Sequence, residues 1–271
     1  MHLAKQYIVC GVLLLVAGLT STSARATTIV VYGASGPIGG LIVNEALSRG
    51  DMVIGVSRDP SKLKIENRNF KAVSGDVTDL TSFRSITRGV DAVIISVGGV
   101  GKDNEPEHTA QAQAAKIAVQ AFTGVSNSPH VIQIGGSTTM YETKEAMEAH
   151  LAAPLSSVPY AIEARKAKEA AAALPRNNVP YAMVMGHLIE LQTYRSSKIR
   201  WTVLTPPLKI EGHNIDAPPE PKRTGTYRTS TTGFVTDANG ESHANIADLA
   251  VAAVDEAEHP RFIGKRFIIG Y

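Results

Sequence analysis

Residues 27–60, TTIVVYGASGPIGGLIVNEALSRGDMVIGVSRDP, decide the fold. Ile29-Val30-Val31-Tyr32 is apolar, β-branched and too short for a helix, so it reads as a strand. Glycines follow at Gly33, Gly36 and Gly39. The first allows a sharp turn off the strand, the second a close backbone approach to a phosphate, and the third close helix–sheet packing. Pro37 has the fixed φ of a first helical turn, where a missing N–H costs nothing. Free N–H groups and the positive end of the helix dipole then face an anion. Ile38, Leu41, Ile42 and Ala46 form an apolar stripe, and Gly50 ends the helix. Met52 to Val56 is the second strand. The unit is strand, glycine turn, helix, strand, which is how a dinucleotide pyrophosphate is held.

The 271 residues are 44% hydrophobic and 19% charged, enough apolar material for one large α/β core. A net charge of +2, with no basic run carrying interleaved aromatics, argues against nucleic acid as a partner. Residues 1–26 read as a signal peptide. Lys5 is the positive end, Ile8 to Leu19 the apolar stretch, and Ala24-Arg25-Ala26 an A-x-A cleavage site. The apolar stretch is short for a membrane span, so export to a periplasmic or extracellular location is expected, with a membrane anchor if cleavage fails. Cleavage removes two basic residues and no acid, leaving a neutral chain over 27–271. It also removes Cys10, the single cysteine, so no disulfide or thiolate metal site is expected. Export sits awkwardly with a nicotinamide cofactor, which cells keep mainly inside.

Downstream, strands are expected at Phe70–Val73, Ala92–Val97, Val131–Ile134, Trp201–Leu204 and Lys265–Tyr271. Helices are expected at Leu80–Arg88, His108–Phe122, Glu142–Ala153, Ala161–Leu174, Tyr181–Ser196 and Ile246–Glu256. Asp79 or Thr81 would cap the second, and Asn245 or Ser242 the last. The proline-, glycine- and threonine-rich segment 206–240 suggests loops and a hairpin near Gly225 to Phe234. Strands alternate with helices throughout, which predicts a single α/β domain with a doubly wound parallel sheet, Rossmann-like.

The candidate cofactor residues lie at the carboxyl ends of the strands. They are Gly33, Ser35, Gly36, Pro37, Ile38 and Gly39 in the first turn, and Ser57 and Arg58 after the second strand. Asp76 and Val77 follow the third, Ser96, Val97 and Gly98 the fourth, and Gly135 the fifth. An acid after the second strand binds the ribose 2′-hydroxyl of NAD, whereas Ser57-Arg58 suits a 2′-phosphate. NADP is therefore the expected cofactor, with Asp59 keeping NAD open. For catalysis, Ser137 is the candidate at the crevice and Tyr160 a loose one. Tyr194 to Lys198 matches a Tyr-x-x-x-Lys spacing, but at the end of a helix, where the pair has the wrong context. No metal motif occurs, and the eight histidines are scattered.

The turn spacing G-x-x-G-x-x-G, with GDVTD at 75–79 and DAVIISVG at 91–98, resembles atypical short-chain dehydrogenase/reductases with an NAD(P)H-binding domain. IRWTVLTPP at 199–207, the run 222–260 and GKRFIIGY at 264–271 resemble the group named NADH-flavin reductases. The resemblance implies that Leu204, Thr205 and Pro206 line the nicotinamide side, and that Arg223 to Tyr227 flank the substrate crevice. It also implies hydride transfer to a flavin, quinone or other small conjugated acceptor. The missing Tyr-x-x-x-Lys pair leaves a non-catalytic redox sensor or scaffold as the alternative, and an epimerase as a weaker third. The leader and the segment 141–180 depart from the pattern.

Overall fold

Ten strands are found in the computed structural model, which describes residues 26–141, 179–212 and 222–271. They are β1 (Thr28–Tyr32), β2 (Met52–Ser57), β3 (Phe70–Ser74), β4 (Ala92–Ile95), β5 (His130–Ile134), β6 (Trp201–Thr205), β7 (Lys209–Glu211), β8 (Arg228–Ser230), β9 (His243–Asn245) and β10 (Lys265–Gly270). The helices are α1 (Pro37–Arg49), α2 (Leu80–Ile86), α3 (Ala110–Phe122), α4 (Val179–Arg195) and α5 (Ile246–Glu258). The main sheet has the order β3-β2-β1-β4-β5-β6-β10-β8 and is parallel except for β8. The doubly wound, Rossmann-like fold expected from the sequence is present. The chain turns back at β1, with β2 and β3 on one side and β4 on the other, so a crevice opens at their carboxyl ends.

Alternate side chains of the central strands feed two cores. Ile29, Val31, Ile94, Ile132 and Leu204 pack with Ile42, Val43 and Ala46 of α1 and Leu249, Ala253 and Val254 of α5. Val30, Tyr32, Val93, Ile95 and Val131 point the other way, onto Phe83 of α2, Ala114 and Ala118 of α3, and Leu191 and Tyr194 of α4. Each fully buried aliphatic side chain contributes about 1.5–3 kcal/mol, which is why these strands are near-continuous apolar runs. The caps are settled by side-chain hydrogen bonds. Asp79 accepts from Thr81 N at 2.9 Å and from Ser82 N at 3.2 Å and opens α2, and Asn245 accepts from Ala247 N at 2.9 Å and opens α5.

Two expectations differ from the structure. The region near Gly225 to Phe234 forms no hairpin: β8 instead joins the edge of β10 antiparallel, pairing Thr229 with Ile269. The edge strand β10 offers a ladder of backbone partners that a lone short hairpin does not. β7 and β9, which the sequence did not suggest, form a small parallel sheet. The helix expected from His108 begins at Ala110, because Pro106–His108 form a short 3-10 turn. The leader, Cys10, the helices expected at 142–153 and 161–174, and Tyr160 lie outside the described residues.

Candidate functional site

The first turn of α1 has no side-chain cap. Gly36 precedes Pro37 in extended backbone, and no side chain accepts from the helix's first N–H groups. A helix start without a cap, facing a crevice, suits an anion. The glycines are dictated by crowding. Gly33 has φ +78°, and a Cβ there would stand 2.1 Å from the Ser96 carbonyl oxygen. A Cβ on Gly39 would stand 2.1 Å from the Gly33 carbonyl oxygen. Strand, turn and helix close on each other only without side chains.

The crevice itself is a cleft of about 580 Å³. Its walls include Gly33, Ser35, Gly36 and Pro37 of the first turn, Ser57 at the end of β2 and Arg58 after it. Asp76 and Val77 after β3 and Ser96, Val97 and Gly98 after β4 complete the walls named from sequence. Eleven of the sixteen residues singled out as cofactor contacts therefore share one cleft. Ile38 and Gly39 do not line it; Ile38 packs toward the core, and Gly39 is a close-packing position under the turn. Gly135, Thr205 and Pro206 follow the neighbouring strands β5 and β6, further along the same edge.

Two carboxylates at the cleft are occupied by their own turns. Asp59 accepts from Ser61 N at 3.2 Å and Ser61 Oγ at 2.6 Å, which holds its carboxyl below the ordinary range. It does not line the cleft. Asp76 accepts from Thr78 N at 2.8 Å and Thr78 Oγ1 at 2.7 Å, and its pKa is likewise lowered, with Arg58 adding to the effect. Ser57 Oγ lies 3.1 Å from Ser35 Oγ, so the two hydroxyls bridge the ends of β1 and β2. Arg58 and this hydroxyl pair are what β2 presents to a ligand.

The structure adds wall residues that the sequence reading missed. Tyr32 is buried and stacks on Phe83 at 5.0 Å, and its hydroxyl has no hydrogen-bond partner. Burial, then Asp76 and Asp79, push that phenol above its ordinary pKa, so it stays protonated as a donor. His108 reaches the wall from the loop after β4 and pairs with Asp103 at 2.6 Å. Its position after a fourth strand was the available signal, but loop length hid it.

Beyond the cleft, the ends of β5 and β6 meet a buried polar network on α4. Thr139 Oγ1 donates to Gly136 O at 2.7 Å and lies 2.6 Å from Thr205 Oγ1. The ring of His187 packs onto Gly136, where a Cβ would come within 2.5 Å of it. His187 Nδ1 lies 2.9 Å from Glu190 Oε2, and Glu190 is fully buried with Oε1 unpartnered. Burial raises the Glu190 pKa, while His187 opposes the rise. Ser137, the sequence candidate, begins the turn after Gly136 and is half-buried. It thus shares this end of β5 with His187. Tyr194, whose Lys198 spacing had the wrong context, is fully buried and donates to Gln133 Oε1 at 2.6 Å. Burial and Glu190 push its pKa well up, so it is a core strut and no acid–base group.

The Arg223 to Tyr227 segment, expected from the resemblance beside the substrate crevice, has other partners. Arg223 Nε and Nη2 donate to Glu45 on α1 at 2.8 and 2.9 Å. The buried Asp248 on α5 accepts from Thr224 N, Thr224 Oγ1 and Gly225 N. Two buried carboxylates need donors, and this segment supplies them.

Residues 33–257 match the model of the NAD(P)H-binding family. The chain belongs to that family. A relative, the uncharacterized YwnB of Bacillus subtilis, is 25% identical over 239 residues, covering 88% of this chain and 96% of its own. A solved structure from Bacteroides thetaiotaomicron, provisionally named an epimerase, is 28% identical, with a TM-score of 0.64 over 91% of this chain and 98% of its own. A Streptococcus pneumoniae structure, provisionally named an NADH-flavin reductase, is 23% identical, with a TM-score of 0.65 over 90% and 99%. The crowded glycine turn, the uncapped start of α1 and the unpartnered Tyr32 hydroxyl fit a nicotinamide dinucleotide in the cleft.

Proposed function

We propose that the chain is an NADPH-dependent oxidoreductase acting on a flat conjugated acceptor such as a flavin or quinone. The observation that carries the NADPH choice is the division of labour after β2. Arg58 and Ser57 line the cleft, while Asp59, the one residue that favoured NAD, is bound to Ser61 outside it. A guanidinium and a hydroxyl there favour a 2′-phosphate, which a carboxylate would repel.

When bound, the cofactor supplies the hydride. The chain's own residues bind and orient. The first N–H groups of α1 would hold the pyrophosphate, and the Ser35–Ser57 contact ties the glycine turn to the end of β2. At the acceptor end, Thr205 and Thr139 hold the β5 and β6 ends together, and Ser137, next to the Gly136 that His187 packs on, would pass the proton. Hydride transfer would need mainly positioning from the chain, so the missing Tyr-x-x-x-Lys pair is no obstacle. The name of the Streptococcus structure agrees with this reading. The leader over residues 1–26 supports export as the destination.

A non-catalytic NADP(H) sensor is the second reading, favoured by the burial of Tyr194. The test is NADPH and NADH binding to native protein and Arg58→Ala, followed by NADPH oxidation with a panel of flavins and quinones. Arg58→Ala is expected to lose about tenfold in NADPH affinity, about 1.4 kcal/mol, with NADH unchanged. Equal loss for both nucleotides overturns the NADPH assignment. Tight binding without turnover of any acceptor favours the sensor.

A further inference from the structure

The residue that follows the A-x-A site is held at both its backbone groups. Thr27, the residue after Ala26, donates its N–H to Asp51 Oδ1 at 3.0 Å, and its carbonyl accepts from Met52 N at 2.9 Å. Asp51 is only 3% exposed, and its second oxygen, Oδ2, accepts no hydrogen bond. Burial pushes Asp51 up to about 6, the Thr27 N–H opposes the rise, and the Glu258 carboxylate beside it adds to it. Glu258 can take a hydrogen bond from Asp51 only while Asp51 keeps a proton. Two carboxylates thus face each other next to one peptide nitrogen, and a buried carboxylate oxygen without a donor is a costly arrangement. A small cleft of about 370 Å³ opens at the same place, with Ala26, Thr27, Asp91 and Glu258 among its walls.

We propose that Ala26–Thr27 is the processing site of the chain and that Asp51, with Glu258, is the built receptor for the new α-ammonium of Thr27. The inference rests on the leader reading and is independent of the cofactor. Hydrolysis by a leader peptidase adds the hydroxyl of water to the Ala26 carbonyl and its hydrogen to the Thr27 nitrogen. At neutral pH the freed amine takes one proton. One amide donor becomes three charged donors, enough for Asp51 Oδ1, Asp51 Oδ2 and one further acceptor. The charge is also the one the site lacks, because Arg49 is already committed to Glu45, Asp255 and Glu258. Cutting one residue earlier or later would put the amine out of reach, since Met52 N fixes residue 27 in register with the start of β2.

The groups around the amine are Asp51 and Glu258, with Asp91 on Thr28 N, and Arg49, Arg200 and His130 behind them. The acids prevail close to the nitrogen, so the folded amine is held above its ordinary value of about 8. A base with a raised folded pKa adds stability that is fully present below about 8 and lost as pH rises through the folded value. At the acid end the gain fades as Asp51 takes up a proton.

The experiment treats the full 271-residue chain, in detergent, with a purified leader peptidase, beside the same chain carrying Asp51→Asn. Asparagine keeps an acceptor for the Thr27 N–H but not the charge. N-terminal sequencing is expected to read Thr27-Thr28-Ile29-Val30. Cleavage is expected to raise the Tm of the native sequence by about 5 °C near pH 7 and of Asp51→Asn by less than about 1 °C. Titration of the α-amine in the cleaved protein, which needs no variant, is expected to give a pKa at least about one unit above 8. No cleavage, a first residue other than Thr27, an equal rise in both chains, or an ordinary amine pKa each overturns the proposal.

Discussion

The cleft and the network beyond it are two ends of one sheet edge, built in opposite ways. The nucleotide end is made of backbone: Gly33, Gly36 and Gly39 in one turn, the bare start of α1, and short segments following β2, β3 and β4. The other end, at β5 and β6, is made of buried side chains gathered from distant parts of the chain. Tyr194 reaches Gln133 and Thr205 reaches Thr139 across more than sixty positions of sequence, and Gln133 in turn donates to the Gln111 carbonyl. The lesson is that the glycine turn is fixed by what its backbone cannot admit, whereas the β5 and β6 end is fixed by which buried polar groups find partners.

The sharpest way to break this contrast is Gly33→Ala. A Cβ 2.1 Å from the Ser96 carbonyl, on a residue at φ +78°, is expected to cost about 3 kcal/mol or more and to abolish nucleotide binding. Calorimetric Tm and nucleotide titration check it, and affinity kept within threefold would show that the turn can yield. Next comes Tyr194→Phe, which leaves Gln133 Oε1 without its donor. Denaturation should show a loss of about 2 kcal/mol with nucleotide affinity unchanged. A drop in affinity there would mean that the two ends are coupled.

Glu190→Gln probes the same network by pH. A buried glutamate with a raised pKa holds its proton better when folded, so its contribution to stability falls as pH rises from about 4.3 through the folded value. The variant should flatten that share of the fall, measured as the native-minus-variant difference between pH 4 and 8. Parallel curves would place the proton elsewhere. The smallest effect is expected from Asp59→Asn, less than twofold on either nucleotide, because the carboxylate is engaged by Ser61. A selective loss of NADH binding would return Asp59 to the ribose.

The nucleotide end was legible because it is local. Residues 27–60 hold strand, turn, helix and second strand in one run, and the glycine spacing states where backbone approaches backbone. Asp79 and Asn245 were legible as caps for the same reason, since a cap acts over two or three residues. Ser137 was found as the residue following a strand, but its neighbour His187 was set aside as one of eight scattered histidines. Nothing local marks His187: only the packing of α4 against the end of β5 brings its ring onto Gly136. The 222–227 segment misled in the other direction. The resemblance set Arg223 to Tyr227 beside the substrate crevice, while Glu45 and Asp248, far off in sequence, take Arg223 and Thr224 as partners.

The sequence by itself determined the Rossmann-like sheet, the crevice at its carboxyl edge and most of the wall that faces a dinucleotide. Those follow from periodicity and from glycine sterics, which act between near neighbours. Only the tertiary structure decided which carboxylates are free to act. Asp59, Asp76, Glu190, Asp248 and Asp51 look alike in sequence. Asp59, Asp76 and Glu190 meet partners two or three residues away, whereas Asp51 and Asp248 take donors from 24 and 23 positions off, which only the folded chain brings within reach.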